Sequence, residues 1–138
     1  MNKKSLFRVV LATSVIAVII VSCAKNDDTG VVTLPRDKFI GTWHVNANGT
    51  LSGHLTWDLI IEAASAAAAE QVVMKNFDQT GNDKTVYATV SGNNLEIPGT
   101  VVGAITVEGT GSLNGATLTL DYTSTDSQVD SVHATATK

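Results

Sequence analysis

Three histidines, His44, His54 and His133, are the side chains best suited to hold a transition metal. Neutral imidazoles bind zinc, usually in company with Cys or carboxylates. Period-2 alternation from Trp43 turns His44 to the opposite face of its strand, and His54 opposes Leu55 in the same way. The two would meet across the first hairpin, and His133 would complete a trio. No Cys or carboxylate recurs beside them at ligand spacing, so solvent-facing imidazoles and no metal are expected. Asp78, Asn82 and Asp83 flank Gly81 and carry hard oxygens of the kind calcium prefers. Their spacing is not that of an EF-hand loop, and turn chemistry accounts for them.

Catalysis has less to stand on. Gly109-Thr110-Gly111-Ser112-Leu113-Asn114-Gly115 is rich in glycine but lacks Gly-x-Gly-x-x-Gly spacing and a following Lys-Ser/Thr. A glycine-softened strand entering a hairpin is the expectation there. The chain has no Gly-x-Ser-x-Gly elbow and no His-Glu-x-x-His helix. Asp58, Glu62, Glu96 and Glu108 would pair as acid and base only by accident of folding. The chain therefore reads as no enzyme and as needing no cofactor. Its remaining candidates are aromatic: Trp43, Trp57, Tyr87 and Tyr122 would line a cavity or stack on a sugar, with Phe39 and Phe77 beside them in a core.

The only cysteine, Cys23, closes an N-terminal targeting segment. Lys3, Lys4 and Arg8 form a basic opening, and Val9 to Val21 is a mostly apolar run. That run suits the core of a signal peptide and is short for a membrane span. Ile20-Val21-Ser22-Cys23 resembles the lipobox of bacterial lipoproteins. The resemblance implies a diacylglyceryl thioether on Cys23, cleavage after Ser22 and acylation of the new amino terminus. Palmitate-type chains would then hold the protein in the membrane, since each buried methylene contributes about 0.8 kcal/mol. Asp27-Asp28 close behind the Cys resembles the surface-export signal of Bacteroidetes lipoproteins, which implies the outer membrane and exposure at the cell surface.

Beyond position 23 six Lys/Arg face thirteen Asp/Glu, a net charge of −7. Such a balance argues against nucleic acid and anionic lipid headgroups as partners. With its one Cys lipidated the domain has no disulfide, so its stability must come from its core.

Residues 23–37 read as the lipidated Cys and a polar tether containing Gly30 and Pro35. Residues 38–138 read as one all-β domain, with Thr, Val, Ile and Leu dominant and turn residues every 8–12 positions. Eight strands are predicted: 38–46, 50–62, 71–77, 84–90, 95–97, 102–113, 116–123 and 131–137. Pro98-Gly99 is expected to end the fifth. Leu51, Gly53, Leu55, Trp57, Leu59 and Ile61 share one face of the second. Glu62 to Glu70, rich in Ala, has helix propensity and is expected to form a connection with one or two helical turns.

Phe39-Ile40-Gly41-Thr42-Trp43 resembles the Gly-x-Trp opening of lipocalins, in which the Trp plugs the closed end of an eight-stranded up-and-down barrel. Residues 88–98, 109–122 and 134–138 are similar to a lipocalin-like domain of Bacteroidetes lipoproteins. The resemblance implies an antiparallel up-and-down meander closing into a barrel; a two-sheet β-sandwich is the alternative. Lipocalins usually stack an Arg near the chain end on this Trp. No Arg follows Arg36, so that contact is expected to be missing. Asp130-Ser131-Val132 resembles the short O-glycosylation motif of Bacteroidetes secreted proteins. The expectation is a lipid-anchored binding module for a small apolar or glycan ligand. The alternative is a surface accessory or protein-interaction domain with a filled barrel and no small ligand.

Overall fold

The computed structural model describes residues 32–138, and residues 1–31, with Cys23 and the targeting segment, lie outside the described residues. Eight strands form a closed antiparallel barrel in sequence order: β1 Gly41–Gly49, β2 Gly53–Ala63, β3 Gln71–Lys75, β4 Thr85–Ser91, β5 Asn94–Val102, β6 Ile105–Asn114, β7 Thr117–Thr125 and β8 Val129–Thr137. The ring closes where β1 pairs with β8, from His44↔Thr137 to Gly49↔Val132. The meander is thus a barrel and not a two-sheet sandwich.

Alternation decides the inside. Val45, Trp57, Leu59, Ile61, Val86, Ala88, Val90, Leu118 and Leu120 are all buried, each on the inward phase of its strand. The outward phase is polar along most of the wall, as in Thr42-His44-Asn46-Asn48 of β1. That is the reverse of the apolar-out, polar-in pattern of membrane barrels. No helix among the described residues is long and apolar enough to cross a membrane.

The barrel has two differently built ends. At one, a 3-10 turn over Asp37–Phe39 sends Phe39 inward, where it is fully buried beside Trp43. At the other, β3 stops at Lys75 and a second 3-10 turn, Phe77–Gln79, lies across the mouth. The sequence assigns Phe77 to the third strand. It is instead fully buried as a plug, because Asn76 in the left-handed region (φ 56) breaks the strand just before it.

Three other expectations are corrected. Glu62 to Glu70 holds no helix: β2 runs to Ala63 and two tight turns follow, Ala68 N–H to Ser65 O and Gln71 N–H to Ala68 O. A nine-residue segment with no large apolar side chain has nothing to dock and cannot hold a helix alone. Pro98-Gly99 does not end β5, which continues to Val102 through a bulge between Ile97 and Thr100. Pairing with β4 has already stopped at Glu96, so the missing proline N–H removes no bond to β4. The tether does not extend to residue 37, because Arg36 is only 6% exposed. Its Nη1 donates to Ser65 O at 3.2 Å, Ala68 O at 2.5 Å and Gln71 O at 3.3 Å, collecting the carbonyls of the β2–β3 turns.

Candidate functional site

At the closed end Trp43 is 1% exposed and its indole N–H donates to Phe39 O at 2.7 Å. The cation expected to be missing from its ring is supplied by another residue. Lys138 Nζ sits 4.5 Å from the ring centroid and donates to Lys38 O and Ile40 O. Burial pushes this ammonium below its ordinary pKa. Gly41 explains itself here: its φ is +138, and a Cβ would stand 3.3 Å from Lys138 Cε. Trp43 is thus part of the buried core at this end.

At the mouth Phe77 stacks obliquely on Tyr122, ring centroids 4.7 Å apart at 59°. The Tyr122 hydroxyl donates to Asp78 Oδ1 at 2.7 Å. Burial pushes that phenol far above its ordinary pKa, and the Asp78 charge adds to the effect. Three non-glycine residues of this plug, Asn76, Asp78 and Gln79, have φ between 52 and 60. Such conformations cost roughly 1–3 kcal/mol each and persist only when surroundings impose them. What imposes them is Phe77 burial together with Asn76, whose side chain bonds Gly81 N and Asp58 O.

Trp57 also faces inward, 7% exposed, and its Nε1 is buried without a hydrogen-bond partner. Tyr87 is on the outside of β4, 50% exposed, since Val86 and Ala88 take the inward phase. The four aromatic candidates therefore do not form one site. Trp43 belongs to the closed end, Trp57 and Tyr122 are inward-facing, and Tyr87 is on the outer wall.

Nor do the histidines converge. In the β1–β2 register His44 stands opposite Asp58 and His54 opposite Asn48, so the two imidazoles do not meet across the hairpin. His44 Nδ1 lies 3.0 Å from Asp58 Oδ1, and His133 Nδ1 lies 2.6 Å from Asp121 Oδ1. Among the described residues no three metal-ligating side chains gather. Asp78 is engaged by Tyr122, and Asp83 is held below the ordinary carboxylate range by the Lys84 ammonium beside it. Glu62 pairs with Lys75 at 2.8 Å.

Two of the concavities border residues named above. A groove of about 830 Å³ along the outer wall has Asn48, Glu96, Pro98, Glu108, Asp121 and His133 among its lining. A second, of about 410 Å³, caps the plugged mouth between Leu51, Leu55, Asp78, Ile105, Asp126 and Asp130. The Asp130 carboxylate ties the β1–β2 turn to β8, accepting from Leu51 N at 2.8 Å, Ser52 N at 3.1 Å and Thr50 Oγ1 at 3.0 Å. Hydrogen bonding, from Ser52 first and then from the Leu51 N–H, holds its pKa at about 2. Ser131, next to it, is exposed on β8.

Sequence reasoning missed Arg36, Phe77 and Lys138 as the residues that close the two ends. The Asn76-Phe77-Asp78 triplet was the available signal for the plug, since Asn and Asp tolerate the left-handed region better than other non-glycine residues.

No family model matches the chain, and no curated protein matches it significantly. Among solved structures it is similar to a redesigned beta barrel, at 14% identity and a TM-score of 0.56, over 78% of this chain and 96% of that one. That likeness is one of fold.

Proposed function

We propose that the chain is a lipid-anchored envelope lipoprotein whose barrel acts through its outer surface as an interaction domain, without a small ligand in its interior. The observation that carries this reading is Phe77, fully buried in the mouth against Tyr122. An eight-stranded barrel interior is just wide enough to be filled by side chains or to hold one small ligand. Here Trp43, Leu59, Ile61, Met74, Phe77, Leu118 and Leu120 form one buried cluster through it. The anchor rests on Cys23 and its lipobox, and the outer membrane and cell surface rest on the residues that follow. A tether from Cys23 reaches the domain at Val32, within roughly 30 Å if extended. Val32 is exposed, and the chain runs from it into the closed end, so the mouth is free to face outward.

A second reading keeps a small apolar or glycan ligand, bound near Trp57 and Tyr122 after the plug withdraws. The unpartnered Trp57 Nε1 favours it, as do the left-handed residues around Phe77.

Native mass spectrometry of the domain purified from a homologous host separates the two. A clean apo mass, unchanged after exposure to lipid and glycan extracts, is expected. A stoichiometric adduct lost on denaturation would replace the first reading by the second. Labelling by radioactive palmitate, abolished by Cys23→Ser, tests the anchor; labelling that persists would remove it.

A further inference from the structure

We propose that the rim of the mouth is the docking surface of this domain, and that its partner is a basic segment of another protein that presents aliphatic side chains beside lysine or arginine. This rests on the interaction-domain reading and names, beyond it, the surface and the chemistry of the partner.

Exposed apolar surface is concentrated at the mouth. Among the described residues five large apolar side chains are exposed, and three of them belong to the connections there: Leu51 in the β1–β2 turn at 59%, Val101 before the β5–β6 turn at 74% and Val129 at the start of β8 at 59%. Leu55 and Ile105, partly buried, continue this surface inward to the buried cluster and line the concavity of about 410 Å³. The other two, Val32 and Tyr87, lie apart, at the start of the described chain and on the outer wall. Apolar side chains scattered singly over a surface need no explanation, whereas a group of them around a concavity marks an interaction site.

Charge selects the occupant. Asp78, Asp126 and Asp130 line the same concavity. Lys84 of the β3–β4 loop is already paired with Asp83 at 2.5 Å, and Lys75 with Glu62. Arg36, Lys38 and Lys138 are at the closed end. The three carboxylates are met instead by neutral donors: the Tyr122 hydroxyl at Asp78, the Gln128 N–H at Asp126 at 2.9 Å, and the β1–β2 turn at Asp130. Such donors favour the ionised form and leave its charge uncompensated. An acidic rim repels an anionic lipid surface. A purely apolar partner would take the carboxylates out of water with nothing to offset the loss. A lysine or arginine side chain meets both demands, since its methylene stem covers Leu55 and Ile105 while its head bonds the carboxylates. An aliphatic neighbour then covers Leu51 and Val129.

The groove on the outer wall is the contrast. Glu96, Glu108 and Asp121 line it, but none of the exposed large apolar residues does. Attraction by charge alone would therefore favour that groove as readily as the mouth.

Residues 39–136 supply the whole buried cluster and the closed ring, so residues 32–138 suffice for the test. The probe is a short synthetic peptide alternating Arg and Leu, titrated into the isotope-labelled domain and read by amide chemical shifts. Shifts should gather at Leu51, Ser52, Ile105, Gln128 and Val129, and binding should weaken as salt is raised. Matched peptides alternating Arg with Ser, or Glu with Leu, should bind about tenfold more weakly. Leu51→Ser and Asp126→Asn should each weaken the Arg–Leu peptide about threefold to tenfold. Both positions lie in turns outside the buried cluster, and Val129→Thr repeats the test on β8 with the β-branch kept. No binding of the Arg–Leu peptide overturns the proposal. Shifts centred on Glu96 and Glu108 overturn it too, because charge alone would then guide the peptide. So does equal affinity for either matched peptide, or an affinity that none of the three substitutions changes. Each of these leaves the interaction-domain reading standing with its surface elsewhere, whereas a stoichiometric adduct by native mass spectrometry removes that reading itself.

Discussion

Lys138 Nζ lies 4.5 Å from the centroid of the Trp43 ring and donates to the carbonyls of Lys38 and Ile40 at 3.0 and 2.7 Å. The last residue of the chain thus closes over the first tryptophan of the barrel. Three links meet in this contact: Gly41 gives the stem room, Phe39 O fixes the indole, and the ammonium lies over the ring face.

Removing that ammonium should therefore loosen the closed end. Lys138→Met keeps the apolar stem and deletes the charge, and should lower stability by about 1–2 kcal/mol. Lys138→Arg should retain most of it, since a guanidinium also stacks on an aromatic face. Urea denaturation of the three proteins checks this. Equal midpoints for wild type and Lys138→Met would mean that the contact contributes nothing.

The plug makes a larger prediction. Phe77 is fully buried, and truncation to Ala removes its ring from the Tyr122 face. Phe77→Ala should cost about 3–5 kcal/mol, the range for large-to-small changes in a core. It should also open the space in front of Trp57 and Tyr122 to a small apolar probe such as benzene. Thermal melts with and without benzene read both effects, and a variant that neither loses stability nor gains from benzene would show that the mouth collapses.

How much of this was legible in the sequence follows from range. The inward residues of β2, β4 and β7 were readable, because alternation of Trp57, Leu59 and Ile61 against polar neighbours is a local signal. The eight-strand count follows from tight turns such as Asn114-Gly115, which tie each strand to the next, whereas closure of the ring, a β1–β8 pairing across the whole domain, was implied only by the lipocalin resemblance. The ends were not readable. Arg36 meets its carbonyls 29 to 35 positions away and Lys138 meets Trp43 from the far terminus, contacts that no window of sequence contains. His44 and His133 are readable as outward but not as partnered, because register decides that each faces an Asp. The left-handed Asn76 ends β3 early, and a strand pattern through Phe77 hides it.

Acid should weaken the mouth at Asp130. Its carboxyl pKa is held at about 2, below the ordinary 3.8, by Ser52 and the Leu51 N–H. A depressed carboxylate contributes stability above its unfolded pKa, and that contribution is lost as pH falls through the folded value. The loss should fall between pH 4 and pH 2. Asp130→Asn should be less stable than wild type at pH 5, and the difference should shrink toward pH 2. Melting curves at pH 5, 3 and 2 test this, and a difference independent of pH would assign the cost to lost geometry and not to charge.

Gly109 is constrained by space and not by backbone angle. It stands opposite Tyr122 in the β6–β7 register, and a Cβ there would lie 2.5 Å from Tyr122 Cβ and 2.6 Å from its Cα, and closer still to Asp121 O. These are backbone and first side-chain atoms, so no rotamer change relieves the clash. Gly109→Ala must push β6 from β7 just where Tyr122 holds Asp78 and supports Phe77. Overpacking of this kind costs about 1–3 kcal/mol. The local consequence is more telling than the total: amide exchange should quicken at residues 76–81 while the closed end near Trp43 stays protected. If exchange rose evenly around the barrel instead, the mouth and the closed end would be a single cooperative unit, and the plug would owe its position to the whole ring and not to the close approach of two strands at Gly109.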